Sequence, residues 1–338
     1  MTTPSASASS SQFLNAQAPE ISYRNGRFLR DKSAIVFDWS GFIISTQFTH
    51  RENASQPINS LKMVVHLDDP GNLYNCYLWK ISENKRVKLL QENVLTTVKG
   101  ENAFGLVFNW PMDKDSQSYV VEIEIEKRTE AMVGVVQFYG ITFLQSVQLI
   151  QRNSMKLKEK SSTDLKIEFI GDSITCAYGN MGKPPCAYTP ATQNVHESFV
   201  EKTARYVNAS EIHIECWSGK GVVRNFADKN TTSVDPFPVY YPRTLANDAN
   251  SVWEFRKTFI PDIAVITLGT NDFSTAPRPS FEQFSNGYQK FLDFIFGKYA
   301  PIKGPSFKIV MVVSFIVQNF ISIVNLLDTI GYVECCGH

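Results

Sequence analysis

Three residues of this chain have the types and settings that acyl transfer requires. Ser173 follows Gly171 and Asp172 at the end of the apolar run Leu165, Ile167 and Phe169, where a short buried strand gives way to a turn. The segments Cys216-Trp217-Ser218-Gly219-Lys220-Gly221 and Thr267-Leu268-Gly269-Thr270-Asn271-Asp272 repeat that arrangement, each a strand running into a polar, glycine-containing turn. A serine that attacks an acyl carbonyl needs donors aimed at the developing oxyanion. The backbone N–H groups of Ser173 and Gly219, with the side-chain amide of Asn271, would supply three. Gly171 allows a tight bend before the serine and a close approach of substrate to backbone. Each motif also has a plainer reading. Ser173 could cap a helix with Asp172 as a turn residue, Asn271-Asp272 could be a turn or cap pair, and Gly219 and Gly221 simple turn glycines. Their conjunction at three strand ends favours the acyl-transfer reading, with Asp272 as a structural residue that fixes its turn.

For three such turns to meet, their strands must lie parallel in one sheet, because right-handed crossovers bring the carboxyl ends of parallel strands to one edge. The second half of the chain has that texture. Strands expected at Lys166–Ile170, Glu211–Cys216, Ile263–Leu268 and Lys308–Val313 alternate with helical stretches at His196–Val207 and Phe281–Tyr299. The first half differs. Short β-rich runs such as Ala34–Phe37, Lys62–His66, Tyr74–Trp79 and the alternating Val121, Ile123, Ile125 are separated by turn residues, with Asp68-Asp69-Pro70-Gly71-Asn72 a strong turn signal. This predicts an all-β sandwich or jelly roll. The expected organisation is a disordered tail over 1–18, a β-sandwich or jelly-roll domain over 19–152, a Lys-rich linker over 153–163 and an α/β domain over 164–338.

A chain of 338 residues with 43% apolar and 20% charged residues is of ordinary globular composition. Lys+Arg and Asp+Glu balance at 33 each, so no global field draws it to nucleic acid or to an anionic membrane. The six cysteines show no paired Cys-x-x-Cys, which argues against a zinc site on spacing. Cys176 and Cys186 could bridge the loop after the serine, or remain free thiols. Met1 to Gln12 is Ser/Ala/Thr-rich without the pattern of a signal peptide, which taken literally leaves the chain in the cytosol. Ile309–Leu327 carries no charge and has about the length of a membrane span, yet Ser314, Gln318, Asn319, Ser322 and Asn325 interrupt it. Its start, Ile309–Val313, also reads as a buried parallel strand.

The motifs around Ser173, Gly219 and Asn271 resemble those of the SGNH (GDSL-type) hydrolases. Phe37-Asp38-Trp39-Ser40-Gly41, Phe138-Tyr139-Gly140-Ile141, Ser218 through Asn225, and Pro261-Asp262-Ile263 through Phe273-Ser274 narrow the resemblance to carbohydrate esterase family 2, over roughly Ile21 to Val313. The resemblance implies an N-terminal jelly roll joined to a flavodoxin-like SGNH domain, secreted, that removes acetyl groups from plant cell-wall polysaccharides or their oligosaccharides without metal or organic cofactor. It implies Ser173 as nucleophile, with Gly219 and Asn271 in the oxyanion hole. Trp217 and Tyr178 are candidates for the aromatic that such enzymes use against a sugar ring.

The family's base is a histidine in an Asp-x-x-His segment near the C-terminus. Of the five histidines here, His50 and His66 fall in the β-rich half, His196 starts a helix and His213 falls inside a strand, none of them at the family's position. The last, His338, has Cys335 where aspartate is expected, and the run after Ser314 departs from the family. Two expectations follow: an esterase impaired by a truncated C-terminus, or a pseudoenzyme that binds acetylated sugars without hydrolysing them.

Overall fold

The computed structural model describes residues 11–50, 60–83, 85–109, 120–145, 147–151 and 164–312. Up to residue 150 the described elements are all strands apart from one 3₁₀ turn: β1 (Gln12–Asn15), β2 (Ile21–Arg24), β3 (Leu29–Arg30), β4 (Ile35–Phe37), β5 (Ile43–His50), β6 (Ser60–Asp68), β7 (Leu73–Ser82), β8 (Lys85–Thr96), β9 (Ala103–Asn109), β10 (Val120–Lys127), β11 (Val136–Phe143) and β12 (Val147–Ile150). They form two antiparallel sheets, ordered β3-β4-β11-β6-β9 with β1 on β11, and β12-β5-β10-β7-β8 with β2 on β5. Period-two sequence explains the pairing. Leu61, Met63, Val65 and Leu67 on β6 and Phe104, Leu106 and Phe108 on β9 turn inward. They meet Val121, Ile123 and Ile125 of β10 in one core cluster.

The first strand corrects the expectation of a disordered tail through residue 18. Gln12–Asn15 pairs antiparallel with Phe143–Gly140, and Leu14 and Ala16 are buried in the same core. The strand is short and preceded by a Ser/Ala run, so composition concealed it. The linker expected over 153–163 lies outside the described residues.

The second part comprises β13 (Lys166–Gly171), α1 (Phe199–Tyr206), β14 (Glu211–Cys216), α2 (Phe237–Tyr240), β15 (Ile263–Thr267), α3 (Thr270–Ser274), α4 (Phe281–Lys303) and β16 (Lys308–Met311). The four strands form one parallel sheet in the order β14-β13-β15-β16. Side chains alternate along β13. Ile167 and Phe169 pack with Val200 and Ala204 of α1, while Ile170 joins the cluster that holds Phe284, Phe291 and Ile295 of α4. Ile309–Met311 of the apolar run is thus strand, and residues 313–327 lie outside the described residues. No helix of the described residues is long and apolar enough to cross a membrane.

Polar contacts lock the two parts together. Arg27, fully buried, pairs with Glu168 of β13 at 2.9 Å and Glu215 of β14 at 3.0 Å, and donates to the Tyr241 and Arg243 carbonyls. Asp38 accepts the Ala246 and Asn247 backbone N–H groups, and the Trp39 indole donates to the Thr244 carbonyl at 3.0 Å.

Candidate active site

Register assembles the site. On β13, Gly171 stands opposite Cys216 of β14 on one side and Thr267 of β15 on the other, so the three strands end level. The turns that carry Ser173, Gly219 and Asn271 therefore leave one edge together. The Trp217 N–H donates to the Gly171 carbonyl at 3.1 Å and extends the contact one residue past the strand ends. Gly171 is required here: a Cβ would lie 2.0 Å from Thr175 Oγ1 and 2.9 Å from the Thr267 carbonyl.

After Gly171 the chain closes into consecutive turns. Asp172 Oδ1 accepts the Ile174 N–H at 3.0 Å, the Asp172 carbonyl accepts the Cys176 N–H at 3.0 Å, and the Ser173 carbonyl accepts the Tyr178 N–H at 2.9 Å. No helix begins at Ser173. The next α-helix starts at Phe199, capped by Ser198. Ser173 is half-buried, and neither its hydroxyl nor its backbone N–H has a hydrogen-bond partner among the described residues. The same holds for the backbone N–H of Gly219, which adopts φ +81°. Two donors and one hydroxyl are thus uncommitted, as an acyl-transfer site requires.

Asn271 behaves differently. Its side-chain amide donates to the Lys220 carbonyl at 2.9 Å and to Asp172 Oδ2 at 3.2 Å, so both N–H groups are engaged. Asp272 organises the second turn, accepting the backbone N–H groups of Val222, Val223 and Arg224 at 2.8 to 2.9 Å. Gly221 leaves room for that carboxylate, since a Cβ would sit 2.5 Å from Asp272 Oδ2. Burial pushes the Asp172 carboxyl up to about 7 against its bond from Ile174, and the Asp272 charge adds to the rise. Burial likewise raises Asp272 to about 6, against its three backbone bonds.

Trp217 is half-buried, 4.8 Å from the Tyr240 ring and packed against the core. Tyr178 is 44% exposed and stacks on Tyr188 at 4.9 Å, which leaves aromatic surface five residues from Ser173.

Some contributors carry no sequence signal. Glu130, just past β10 in the antiparallel part, accepts both the backbone N–H and the hydroxyl of Ser218 at 2.6 Å. Gln193 holds it in place, donating to Glu130 Oε1 at 3.1 Å and to the Cys176 carbonyl at 2.9 Å. Burial raises the Glu130 pKa, and the bonds from Ser218 and Gln193 oppose the rise. No motif marks either residue, since each acts from another part of the chain. The cysteine expectation is also corrected. Cys176 pairs with Cys216, 40 residues away, and Cys186 is a free thiol. The bridge forms because the turn after Ser173 folds back over the end of β14, a juxtaposition that sequence spacing does not reveal.

The described histidine side chains are engaged elsewhere. His66 bonds to Thr142 Oγ1, His196 to Glu126, and buried His213 stacks on Phe259 with ring centroids 3.6 Å apart. His338 lies outside the described residues.

No family model matches the chain. A stretch of 154 residues is 42% identical to the cellulase/esterase CelE of Acetivibrio thermocellus, covering 44% of this chain and 17% of that protein. Over 162 residues it is 39% identical to an acetylxylan esterase / glucomannan deacetylase of Cellvibrio japonicus, covering 46% of this chain and 40% of that one. The chain thus spans less than half the length of these curated relatives. Among solved structures, a family two carbohydrate esterase from Clostridium thermocellum, crystallised in complex with cellohexaose, superposes with a TM-score of 0.69 at 27% identity, over 91% of this chain and 82% of that one.

Proposed function

From this kinship with the family two carbohydrate esterases, we propose that the chain is a serine esterase scaffold that removes acetyl groups from plant cell-wall polysaccharides or their oligosaccharides. The observation that carries the proposal is the level ending of β13, β14 and β15, which puts Ser173, Gly219 and Asn271 at one sheet edge. In this reading residues 164–338 are a flavodoxin-like SGNH domain and the preceding strands a jelly roll. The substrate class would place its work outside the cell.

Ser173 Oγ would attack the acetyl carbonyl while its proton passes to a base. The carbonyl electrons move onto oxygen, which the free N–H groups of Ser173 and Gly219 would receive. Asn271 would join by turning its longer bond away from Asp172, and its bond to Lys220 would keep it in place. Collapse of the intermediate expels the sugar hydroxyl, which takes up the proton. Water then attacks the acetyl-enzyme, acetate leaves, and Ser173 regains its hydrogen. Tyr178 would offer a face to the sugar ring, with Trp217 behind it.

A second reading has its own observation. The described histidine side chains are committed elsewhere, so the base comes from outside the described residues, with His338 the sequence candidate, or is lacking. Without a base the site keeps only the residual rate from binding and oxyanion contacts, about 10³–10⁴-fold over water. The chain would then act chiefly as a binder of acetylated sugars. Acetate release from acetylated xylan and from 4-nitrophenyl acetate, compared with Ser173→Ala, decides. A rate abolished in the variant supports the esterase, and equal rates remove catalysis by Ser173. Calorimetric binding of acetylated oligosaccharide without acetate release would leave the binder.

A further inference from the structure

A second cluster of chemistry-bearing side chains lies in a groove of about 580 Å³ whose lining includes none of Ser173, Gly219 or Asn271. Glu126 of β10, His196 in the 3₁₀ turn before α1, and Glu201 of α1 converge there, with one donor atom of each within 4.8 Å of the others. His196 Nδ1 lies 2.9 Å from Glu126 Oε2. One oxygen of each carboxylate, Glu126 Oε1 and Glu201 Oε1, is buried and has no hydrogen-bond partner among the described residues. The two residues are only 1% and 7% exposed, so water does not readily serve these oxygens. Buried anionic oxygens without donors are costly and call for a cation or a proton.

We propose that Glu126, His196 and Glu201 bind one divalent cation, with Zn²⁺ the fitting ion. Two carboxylates and an imidazole make a mixed N/O donor set, which suits zinc rather than the all-oxygen shells of calcium or magnesium. Tetrahedral zinc ligands about 2.0–2.2 Å from the ion stand about 3.4 Å apart, so Nδ1 and Oε2, now 2.9 Å apart, would part slightly and the donor atoms that lie up to 4.8 Å apart would draw in around the ion. The ion takes the place of the proton that His196 Nδ1 shares with Glu126, and that proton leaves to solvent. The sequence gives no warning of such a site, because Glu126 and His196 are 70 positions apart.

Arg205 is one local competitor, and the charge of Arg24, on the same groove, also bears on Glu201. Arg205 Nη1 lies 3.3 Å from His196 Nε2 and 3.5 Å from Glu201 Oε2. A metal on Nδ1 leaves the ring hydrogen on Nε2, which then faces the guanidinium donor to donor. The Arg205 side chain is 44% exposed and can swing aside, so its positive charge weakens the site without closing it. The bound ion would tie β10 of the antiparallel part to α1 of the parallel part.

The test is calorimetric titration of ZnCl₂ into the EDTA-treated full chain, with thermal unfolding in parallel. One saturable Zn²⁺ per chain and a raised Tm are expected, with affinity reduced about tenfold or more in Glu201→Gln and His196→Gln. Arg205→Gln, a surface change that folds even if Glu201→Gln does not, is expected to bind Zn²⁺ more tightly. Absence of saturable binding, equal affinity in the Glu201 and His196 variants, or unchanged or weaker binding in Arg205→Gln overturns the proposal. The readouts are heat and Tm, so failure here leaves the esterase reading untouched, and failure of that reading leaves this one.

Discussion

Asn271 holds the carbonyl of Lys220 with its side-chain amide at 2.9 Å, and so fastens the turn after β15 to the turn after β14. Asn271→Ala is therefore expected to do two things at once. Losing the oxyanion donor proposed for this position would cost about 10²–10³ in turnover, and leaving the half-buried Lys220 carbonyl and the buried Asp172 Oδ2 without this donor costs about 1–3 kcal/mol of stability. Asn271→Asp should unfold more readily still, since a carboxylate would face the Lys220 carbonyl and Asp172. Acetate-release kinetics beside denaturant titration measure both effects. A variant of full stability and full rate would remove Asn271 from both roles.

Glu130 reaches the site from the antiparallel part. Glu130→Ala deprives Ser218 of both its bonds, one residue from Gly219. A displacement of about 1 Å in such a site costs about 10²-fold in rate. The expected outcome is a fall in kcat for acetate release, with Glu130→Gln retaining more activity because its amide oxygen still accepts from Ser218. Unchanged kcat in Glu130→Ala would show that the Ser218 turn keeps its shape unaided.

The Cys176–Cys216 bridge spans 40 residues and joins the turn after Ser173 to the end of β14. Its removal in a Cys176→Ser/Cys216→Ser double variant is expected to lower stability by about 2–4 kcal/mol. Unfolding midpoints with and without reductant check this. The double variant itself should be indifferent to reductant, and a wild-type midpoint that reductant does not move would show the bridge to be dispensable.

Folded-state carboxyls at about 7 for Asp172 and about 6 for Asp272 stand above the unfolded value of about 3.9. Between those limits the folded chain binds more protons than the unfolded chain, so this pair's contribution to stability falls as pH rises from about 4 to 7 and is level above. Asp172→Asn removes one such group. Its stability relative to wild type should therefore improve on going from pH 5 to pH 8, measured by denaturant titration at both values. A constant difference would mean that Asp172 keeps an ordinary pKa.

Legibility followed the range of the interaction. Strands announced themselves through local periodicity, as in Leu61, Met63, Val65 and Leu67, and the three turn motifs stood out because glycine, serine and asparagine at strand ends are a local pattern. β14 runs from Glu211 to Cys216, as expected from the sequence, and β15 ends at Thr267, one residue early, because Leu268 already belongs to the turn. What stayed hidden depends on distant partners. Glu130 meets Ser218 across 88 positions, Cys176 meets Cys216 only once the sheet exists, and Gln193 has no local feature to mark it. β1 escaped notice because its four residues are recruited by β11 rather than by any strong propensity of their own.

Arg27 bears on how the chain can be divided. Its guanidinium enters from the antiparallel part and is the partner of two buried glutamates, Glu168 and Glu215, on the central and edge strands of the parallel sheet. A fragment beginning at residue 164 would leave Glu215 and Glu168 without their guanidinium partner, Glu168 keeping the Tyr241 and Tyr299 hydroxyls, and removing one partner of a buried pair typically costs about 3–5 kcal/mol. The parallel sheet therefore relies on a charge encoded some 140 residues upstream. Grafting it alone onto another protein would first require both glutamates to be made neutral.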